Sequence, residues 1–203
     1  IGANIGYHTL IAAEIVGPTG HVYAFEPESN NFKLLKKNVH VNKYPNVVLV
    51  NKALSDRNGK AKLFLSTEDN YGDFRIYNSQ DKRKSLIINL ITLDSYFKKH
   101  IPKINVIKLD VQGAETLVLK GAKKVLSKNK KIVLFTELWP KALKQSGSSA
   151  REYFEILNSY SFKLFEIDQK RTKMVKTSID KLLLRYSEES IYNADLLCIR
   201  QKP

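Results

Sequence analysis

The sequence predicts an α/β protein whose mostly parallel β-sheet is covered by helices on both faces. Short apolar segments of strand length alternate with segments whose apolar residues recur at helical spacing. The chain also opens on IGANIG, a glycine turn of the kind that normally joins a buried strand to a helix. With 203 residues the chain has the length of one domain, and we assign residues 1–203 to a single domain.

The first half of the chain contains two predicted helices and four predicted strands. Residues 5–16 form a helix, because apolar side chains recur at helical spacing until Gly17 and Pro18 end the pattern. Ser29 can cap the second helix, which runs to about residue 41. The strands are predicted at 21–25, 47–50, 60–65 and 85–91.

The second half continues the alternation. Helices are predicted at 93–99, 114–126 and 149–159, and strands at 104–111, 131–138, 162–167 and 194–200. Two polar or mixed segments, 66–84 and roughly 168–193, carry no regular pattern. The first combines Tyr71, Phe74 and Tyr77 with Asp, Asn and Arg, so we predict a lid that closes over a polar acceptor, with disorder as the alternative.

The chain is strongly basic, with a formal net charge of +14. Basic surfaces attract phosphate, which makes nucleic acid a candidate partner. However, 27 of the 34 basic residues are Lys and only seven are Arg, the residue favoured for bidentate phosphate and base contacts. The lysines are spread along the chain, and we interpret them mainly as solvated surface rather than as a nucleic-acid site.

Composition also limits the compartment and the classes of site. No apolar run approaches the length of a membrane span, and the N-terminus has no secretory pattern. Cys198 is the single cysteine, which excludes an internal disulfide and favours a reducing compartment, so we expect a cytoplasmic protein. His21, His40 and His100 are scattered and show no metal-site spacing, and we predict no metal.

The opening turn and the end of the next strand together indicate an adenosyl site. Ligands of such sheets bind beyond the carboxyl ends of strands, and Gly2 and Gly6 let the backbone approach a ligand closely. Glu26 follows about twenty residues after Gly6, at a strand end where a carboxylate can accept both ribose hydroxyls. This spacing leaves S-adenosylmethionine and a dinucleotide open. The missing middle glycine of GxGxxG favours a ligand without a diphosphate.

Longer phrases of the sequence resemble one protein family. IKLDVQGAETLVLKGA (107–122) and FTELWP (135–140), with the opening IGANIG and AFEP (24–27), resemble the FkbM family of S-adenosylmethionine-dependent methyltransferases. NKALSD (51–56) and ITLDSY (91–96) are also similar to phrases of that family. The resemblance covers nearly the whole chain in the expected order. It implies a Rossmann-like class I methyltransferase sheet of seven strands, the last antiparallel, with the family's first strand and its acidic residue absent before Ile1.

The resemblance also implies which residues hold S-adenosylmethionine. It places the opening turn around the methionine part, Glu26 on the ribose, and Pro27 and Glu28 near the adenosine. Residues after the third strand flank the adenine, with Asp56 near its exocyclic amine, while Asp110 lies beside the sulfonium. The implied cofactor set is Gly2, Ala3, Asn4, Gly6, Glu26, Pro27, Ala53, Leu54, Ser55 and Asp110.

Methyl transfer to a hydroxyl group requires alignment of the reacting atoms and a general base. Asp110 and Glu137, which the resemblance places at the ends of two neighbouring strands, are the predicted bases, and His8 is the third candidate. Asp110 has an alternative role as the cap of the helix that follows it. Lys108 lies inside an apolar strand, where an unpaired lysine is costly, so we predict that it pairs with a carboxylate.

Two residues depart from the family pattern. Gln112 stands where the family often has Glu, which removes one carboxylate and argues against a metal site built on it. Trp139 stands where the family often has His. We interpret it as a packing residue, with stacking on a sugar face as the alternative.

The resemblance implies an S-adenosylmethionine-dependent O-methyltransferase whose acceptor is a sugar, a glycan or another small hydroxyl compound. Two alternatives belong to other classes of protein. One is an RNA methyltransferase that uses the lysine-rich surface, and the other is an adenosyl-binding module without catalytic activity.

Overall fold

A computed structural model of the chain describes residues 1–66, 72–78, 82–168, 170, 172–189 and 191–200. Tyr71 and the other residues at 67–71 and 79–81, which belong to the predicted lid, lie outside the described residues.

The first five elements are α1 (Tyr7–Val16), β1 (Val22–Phe25), α2 (Ser29–Val41), β2 (Val47–Val50) and β3 (Ala53–Leu54). The predicted helices and strands of this region are confirmed, although α1 begins later than predicted because Gly6 at its N-terminus has a φ of 103°. Glu28 caps α2 in place of the predicted Ser29, since its carboxylate accepts a hydrogen bond from the Asn31 N–H.

The next elements are β4 (Gly59–Phe64), β5 (Ser85–Ile91), α3 (Leu93–Tyr96), β6 (Val106–Leu109), α4 (Glu115–Lys120) and α5 (Lys123–Lys128). The prediction of one helix over 114–126 is wrong. The Asp94 carboxylate accepts hydrogen bonds from the N–H groups of Lys124 and Val125, at 2.9 and 3.0 Å. The Asp94 N–H donates to the Gly121 carbonyl (3.0 Å), so α5 begins as a separate helix with its own cap.

The last elements are β7 (Val133–Leu138), α6 (Pro140–Gln145), α7 (Ala150–Ser159), β8 (Phe162–Asp168), β9 (Lys173–Lys176), α8 (Ile179–Arg185) and β10 (Ala194–Arg200). The sequence patterns did not predict α6, β9 or α8. All four residues of β9 are exposed, so this strand has no apolar pattern to detect.

The strands form three sheets instead of the predicted single sheet of seven strands. β1 and β2 pair in parallel, β3, β5 and β4 form a second sheet, and the third has the order β6-β7-β10-β8-β9. β10 is antiparallel to both of its neighbours, as predicted for the last strand. A cavity of about 650 Å³ lies between β1 and β6. No strand of the described residues occupies it, and β1 and β6 do not pair with each other.

The main hydrophobic core joins elements of all three sheets. Phe25 of β1, Leu54 of β3 and Leu109 of β6 belong to one buried cluster, together with the fully buried Tyr153 and Phe154 of α7. β1 and β6 both end at the opening turn, and β7 runs parallel to β6. The residues at the ends of these strands therefore share one edge of the molecule. None of the described helices is long and apolar enough to cross a bilayer.

Candidate active site

Backbone hydrogen bonds hold the opening turn between the ends of β1 and β6. The N–H groups of Gly2 and Ala3 donate to the Phe25 carbonyl (3.1 and 2.9 Å), and the Asp110 N–H donates to the Ile1 carbonyl (3.2 Å). Gly2 has a φ of 75°, and a Cβ atom there would lie 1.9 Å from the Asp110 carbonyl oxygen. The close approach of two backbone segments therefore requires this glycine.

Glu26 is buried at the end of β1, with 5% of its surface exposed. Its Oε2 accepts a hydrogen bond from the Asn4 N–H (2.8 Å), and its Oε1 accepts one from the Glu28 N–H (2.9 Å). Burial raises the pKa of Glu26, although these two hydrogen bonds oppose the rise. Because a carboxylate has about four acceptor positions, both oxygens keep capacity to accept ribose hydroxyls.

A cavity of about 380 Å³ lies along this edge. Gly6 and Ser55 are the predicted cofactor residues that do not line it. A Cβ on Gly6 would meet the Leu35 side chain at 2.7 Å, so this glycine serves the packing of α1, and Ser55 is buried at 1% exposure. The predicted residues that do line the cavity are Gly2, Ala3, Asn4, Glu26, Pro27, Ala53, Leu54 and Asp110, together with His8.

The cavity has further lining residues, and two of them belong to the predicted lid, for which the sequence analysis named Phe74 but not Ile76. Phe74 and Ile76 face the cavity because Arg75 pairs with Phe64 as a short antiparallel bridge, through backbone hydrogen bonds of 2.7 and 3.0 Å, and strand-like residues alternate sides. The alternation in FRIY is the signal from which this could be read. The remaining unpredicted lining residues include Asn31, Lys52, Leu63 and Gln112.

Arg75 packs against Trp139 and Tyr77. Its guanidinium carbon lies 5.1 Å from the centre of the Trp139 ring and 5.7 Å from that of Tyr77. The same guanidinium donates to the Asp73 carboxylate at 2.6 and 2.9 Å, and Arg83 donates to that carboxylate at 2.7 Å. Arg75 therefore occupies one face of the Trp139 ring, and this part of the predicted lid forms a wall beside the cavity.

Asp110 forms an ion pair with Lys108, with 2.8 Å between Oδ2 and Nζ. This pair confirms that Lys108 meets a carboxylate. Burial favours a higher pKa for Asp110, but the Lys108 charge and the hydrogen bonds from Lys108 and Gln112 outweigh it, so the pKa lies below its ordinary value. Asp110 does not cap the following helix, whose N-cap residue is Ala114 without a side-chain cap. Asp110 is therefore ionised at neutral pH and is a weak base.

Glu137 of β7 is connected to Asp110 through the amide of Gln112. The Nε2 of Gln112 donates to Asp110 Oδ1 (2.9 Å) and to Glu137 Oε2 (3.3 Å), while Asn193 donates to the other oxygen of Glu137. Burial raises the pKa of Glu137 to about 7, and the charge of Asp110 adds to the rise. Of the two carboxylates, Glu137 is therefore the one whose pKa lies near neutral pH.

The turn that carries Gln112 is held from two sides. Gln112 and Gly113 have φ values of 51° and 97°, a region that non-glycine residues rarely adopt. Glu115 is fully buried, and its Oε1 accepts a hydrogen bond from the Val111 N–H (3.1 Å), while the Ser146 hydroxyl donates to the Gly113 carbonyl (2.6 Å). Burial raises the pKa of Glu115 to about 8. These contacts fix the position of the amide that links Asp110 to Glu137.

His8 lies in the first turn of α1 at the mouth of the cavity, and its side chain is exposed. Desolvation and the charge of Lys108 lower the pKa of His8 below its usual value, so the imidazole is neutral at neutral pH. Hydrogen bonds connect Lys108, Asp110, Gln112, Glu137 and Asn193 in a chain, and His8 is not part of it.

The chemistry of the cavity fits S-adenosylmethionine. A buried carboxylate with spare acceptor capacity suits the ribose, the apolar side chains of Pro27, Ala53 and Leu54 suit the adenine, and the ionised Asp110 suits a sulfonium. The volume lies within the range of roughly 300–1,000 Å³ that is typical of small-molecule sites. In the described part of the chain, no group of His, Cys, Asp and Glu is arranged to hold a metal ion.

Known proteins are similar to this chain in sequence or in fold. Residues 1–164 match the FkbM methyltransferase domain. The hexuronic acid methyltransferase AglP of Haloferax volcanii is 31% identical over 123 residues, which are 60% of this chain and 47% of AglP. The chain thus spans about half the length of that curated relative.

Two solved structures show the same fold at low sequence identity. The methyltransferase FkbM from Methylobacillus flagellatus KT has a TM-score of 0.59 at 15% identity, and the match covers 97% of this chain and 41% of that one. A putative methyltransferase from Streptococcus mutans, solved in complex with SAH, has a TM-score of 0.52 at 10% identity, and the match covers 98% of this chain and 84% of that one. The fold is therefore that of class I methyltransferases. The domain match over most of the length, on a chain with this fold, identifies the protein as a member of the FkbM family of S-adenosylmethionine-dependent methyltransferases.

Proposed function

We propose that this chain, as one domain over residues 1–203, transfers the methyl group of S-adenosylmethionine to a hydroxyl oxygen. The acceptor is a sugar or another small polar compound, and Glu137 is the general base.

The position of Glu137 beside the cavity, linked to Asp110 through Gln112, together with its raised pKa, carries the assignment of the base. A general base works best when its pKa lies near the working pH, and the pKa of Glu137 is about 7. The pKa of Asp110 is lowered, which suits a permanent charge more than proton transfer. Gln112 contacts both carboxylates and also lines the cavity, so it supports a site in which base and cofactor act side by side.

The polar residues at the ends of β1, β6 and β7 have separate roles in the proposed reaction. Glu26 accepts the ribose hydroxyls, and the negative charge of Asp110 stabilises the positive sulfonium. Bound S-adenosylmethionine supplies a methyl group that is activated for direct displacement by an oxygen nucleophile. Glu137 accepts the hydroxyl proton of the acceptor, and Gln112 holds the Glu137 carboxylate in place while it does so.

The relative AglP supports a sugar acid as the class of acceptor. It is a hexuronic acid methyltransferase and shares 31% identity with this chain over 123 residues. Because the chain spans about half of AglP, uronic acids should be tested beside other hydroxyl compounds.

Transfer from S-adenosylmethionine with a labelled methyl group tests the proposal. The acceptors are free uronic acids, the corresponding neutral sugars and a mixed RNA, and mass spectrometry locates the label. We expect a sugar product methylated on a hydroxyl oxygen. Glu137→Gln should slow its formation by at least about 100-fold, while Glu155→Gln, a matched change at an exposed position, leaves the rate intact. A label on RNA would support the alternative RNA methyltransferase. Cofactor binding without transfer to any acceptor would support a non-catalytic module.

A further inference from the structure

Eight lysines lie on two neighbouring segments at the edge where β6 and β7 begin, and all eight are exposed. The first segment precedes β6, and the second comprises α5 and the residues between α5 and β7. We call this set the lysine edge. It consists of Lys98, Lys99, Lys103, Lys123, Lys124, Lys128, Lys130 and Lys131.

Hydrogen bonds hold the two segments against each other. The Nζ of Lys128 donates to the Ile101 carbonyl at 3.0 Å. The side chain of Asn129 donates to the Pro102 carbonyl at 3.2 Å and accepts from the Ile104 N–H at 2.8 Å. The lysine edge is therefore one continuous surface, although its lysines come from separate parts of the sequence.

The charge of the lysine edge is not balanced within its own segments. Residues 95–109 and 116–136 contain no Asp or Glu. The carboxylate of Asp94, just before the first segment, is used in capping α5. Among the described residues, the lysines that form ion pairs are Lys108, Lys120 and Lys144. None of them belongs to the lysine edge. An even distribution of solvated lysines does not account for this concentration.

The lysine edge lies opposite the cavity. β6 begins beside it at Val106 and ends before Asp110, while β7 begins beside it at Val133 and carries Glu137 near its other end. A large partner bound at the lysine edge would therefore leave the cofactor cavity open to solvent.

The composition of this surface points to one class of partner. None of its eight basic side chains is an Arg, and its two segments expose no Phe, Tyr or Trp. The neighbouring Arg200 donates to the carbonyls of Leu126 and Asn129, and its guanidinium lies 5.4 Å from the centre of the Tyr160 ring, so this fork and this ring face are already engaged with each other and with α5. The surface therefore presents lysines without the free planar forks and stacking faces that hold nucleic acids. A bilayer of anionic lipids requires neither, because clusters of about four to eight basic side chains bind its headgroups by diffuse charge attraction. We infer that the lysine edge docks the protein on an anionic lipid bilayer with the cofactor cavity facing away from the membrane.

Vesicle sedimentation with two matched variants tests this inference. One variant reverses three charges of the lysine edge (Lys123, Lys124 and Lys130→Glu), and the other reverses three exposed charges of α2 (Lys33, Lys36 and Lys37→Glu), so both change the net charge equally. The probes are vesicles of phosphatidylcholine alone, vesicles with about a third phosphatidylglycerol, and a mixed RNA.

We expect the wild type to bind the phosphatidylglycerol vesicles but not the phosphatidylcholine vesicles, with binding that weakens steeply as salt rises through about 0.1 M. Three charge reversals at the lysine edge should weaken this binding by at least about 100-fold, since each lysine contributes roughly fivefold. The α2 variant should keep most of the binding. Neither variant should change cofactor binding or methyl transfer to a soluble acceptor, so this test remains independent of the proposed function.

Three results would overturn the inference. Equal loss in the α2 variant would assign vesicle binding to the net charge of the protein. Tight binding to RNA without binding to vesicles would assign the surface to nucleic acid. Failure to bind anionic vesicles even at low salt would make the lysine edge an ordinary solvated surface.

Discussion

Replacing Glu137 by Gln removes the proposed base while keeping the shape of the side chain. The oxygen of the new amide can accept from Gln112, and its NH2 group can donate to Asn193 once the Asn193 amide rotates to present its oxygen, so the fold and the cofactor cavity should be preserved. With a pKa of about 7, Glu137 in the wild type is half ionised at neutral pH. Its ionised fraction is about one tenth at pH 6 and about nine tenths at pH 8. The kcat/KM of the wild type should therefore rise roughly tenfold between these pH values.

Loss of a general base typically reduces the rate by about 10²- to 10⁴-fold, and we expect this loss in kcat for Glu137→Gln. The rise of kcat/KM with pH should vanish as well. Asp110→Asn gives a useful comparison, because the charge of Asp110 contributes to the raised pKa of Glu137. In that variant the base remains, and the rise should move to lower pH.

The assay is methyl transfer measured from about pH 5.5 to 9, with calorimetry of S-adenosylhomocysteine binding to show that the variant keeps its cofactor site. A near-normal rate for Glu137→Gln with an unchanged pH profile would refute the role of Glu137. His8, which lines the same cavity and has a lowered pKa, would then be the next candidate.

Three further predictions follow from buried groups of the site. Glu26→Ala should weaken S-adenosylhomocysteine binding by about 1–3 kcal/mol in calorimetry, because a charged acceptor is lost; unchanged affinity would remove Glu26 from the ribose site. Gly2→Ala should abolish cofactor binding, because its Cβ would lie 1.9 Å from the Asp110 carbonyl oxygen. Gly147→Ala, at a φ of 86° but with nothing within 4 Å, should bind normally, and equal loss in both variants would show that backbone conformation alone matters. Glu115 has a pKa raised from 4.5 to about 8, so its contribution to stability is complete below pH 4.5 and is lost as the pH rises through 8. Between pH 5 and pH 8, the unfolding free energy of the wild type should therefore fall by up to about 4 kcal/mol more than that of Glu115→Gln, as measured by urea unfolding. The same fall in variant and wild type would contradict the raised pKa.

The parts of the site that the sequence predicted depend on strand ends. Residues that follow parallel strands meet at one edge, and this rule brought Glu26 and Asp110 to the cavity and Glu137 close to it. The pairing of Lys108 was also predictable, because a lysine within an apolar strand needs a carboxylate.

The contacts that the sequence did not predict depend on tertiary structure. The link from Gln112 to Glu137 requires a positive φ at Gln112, which no periodicity reveals. Asn193 reaches Glu137 from 56 residues away, and Arg75 covers Trp139 through a bridge with β4. The break between α4 and α5 likewise depends on the distant carboxylate of Asp94, while local propensity alone favours one long helix.

The most direct test of the central claim is the identity of the methylated atom. The protein is incubated with S-adenosylmethionine that carries a deuterated methyl group and with a uronic acid acceptor, and the product is analysed by mass spectrometry and NMR. The proposed function predicts one deuterated methyl group, in an ether on a hydroxyl oxygen of the sugar, formed by the wild type at least about 100-fold faster than by Glu137→Gln. A methyl ester on the carboxyl group, or equal rates of product formation by both proteins, would contradict it.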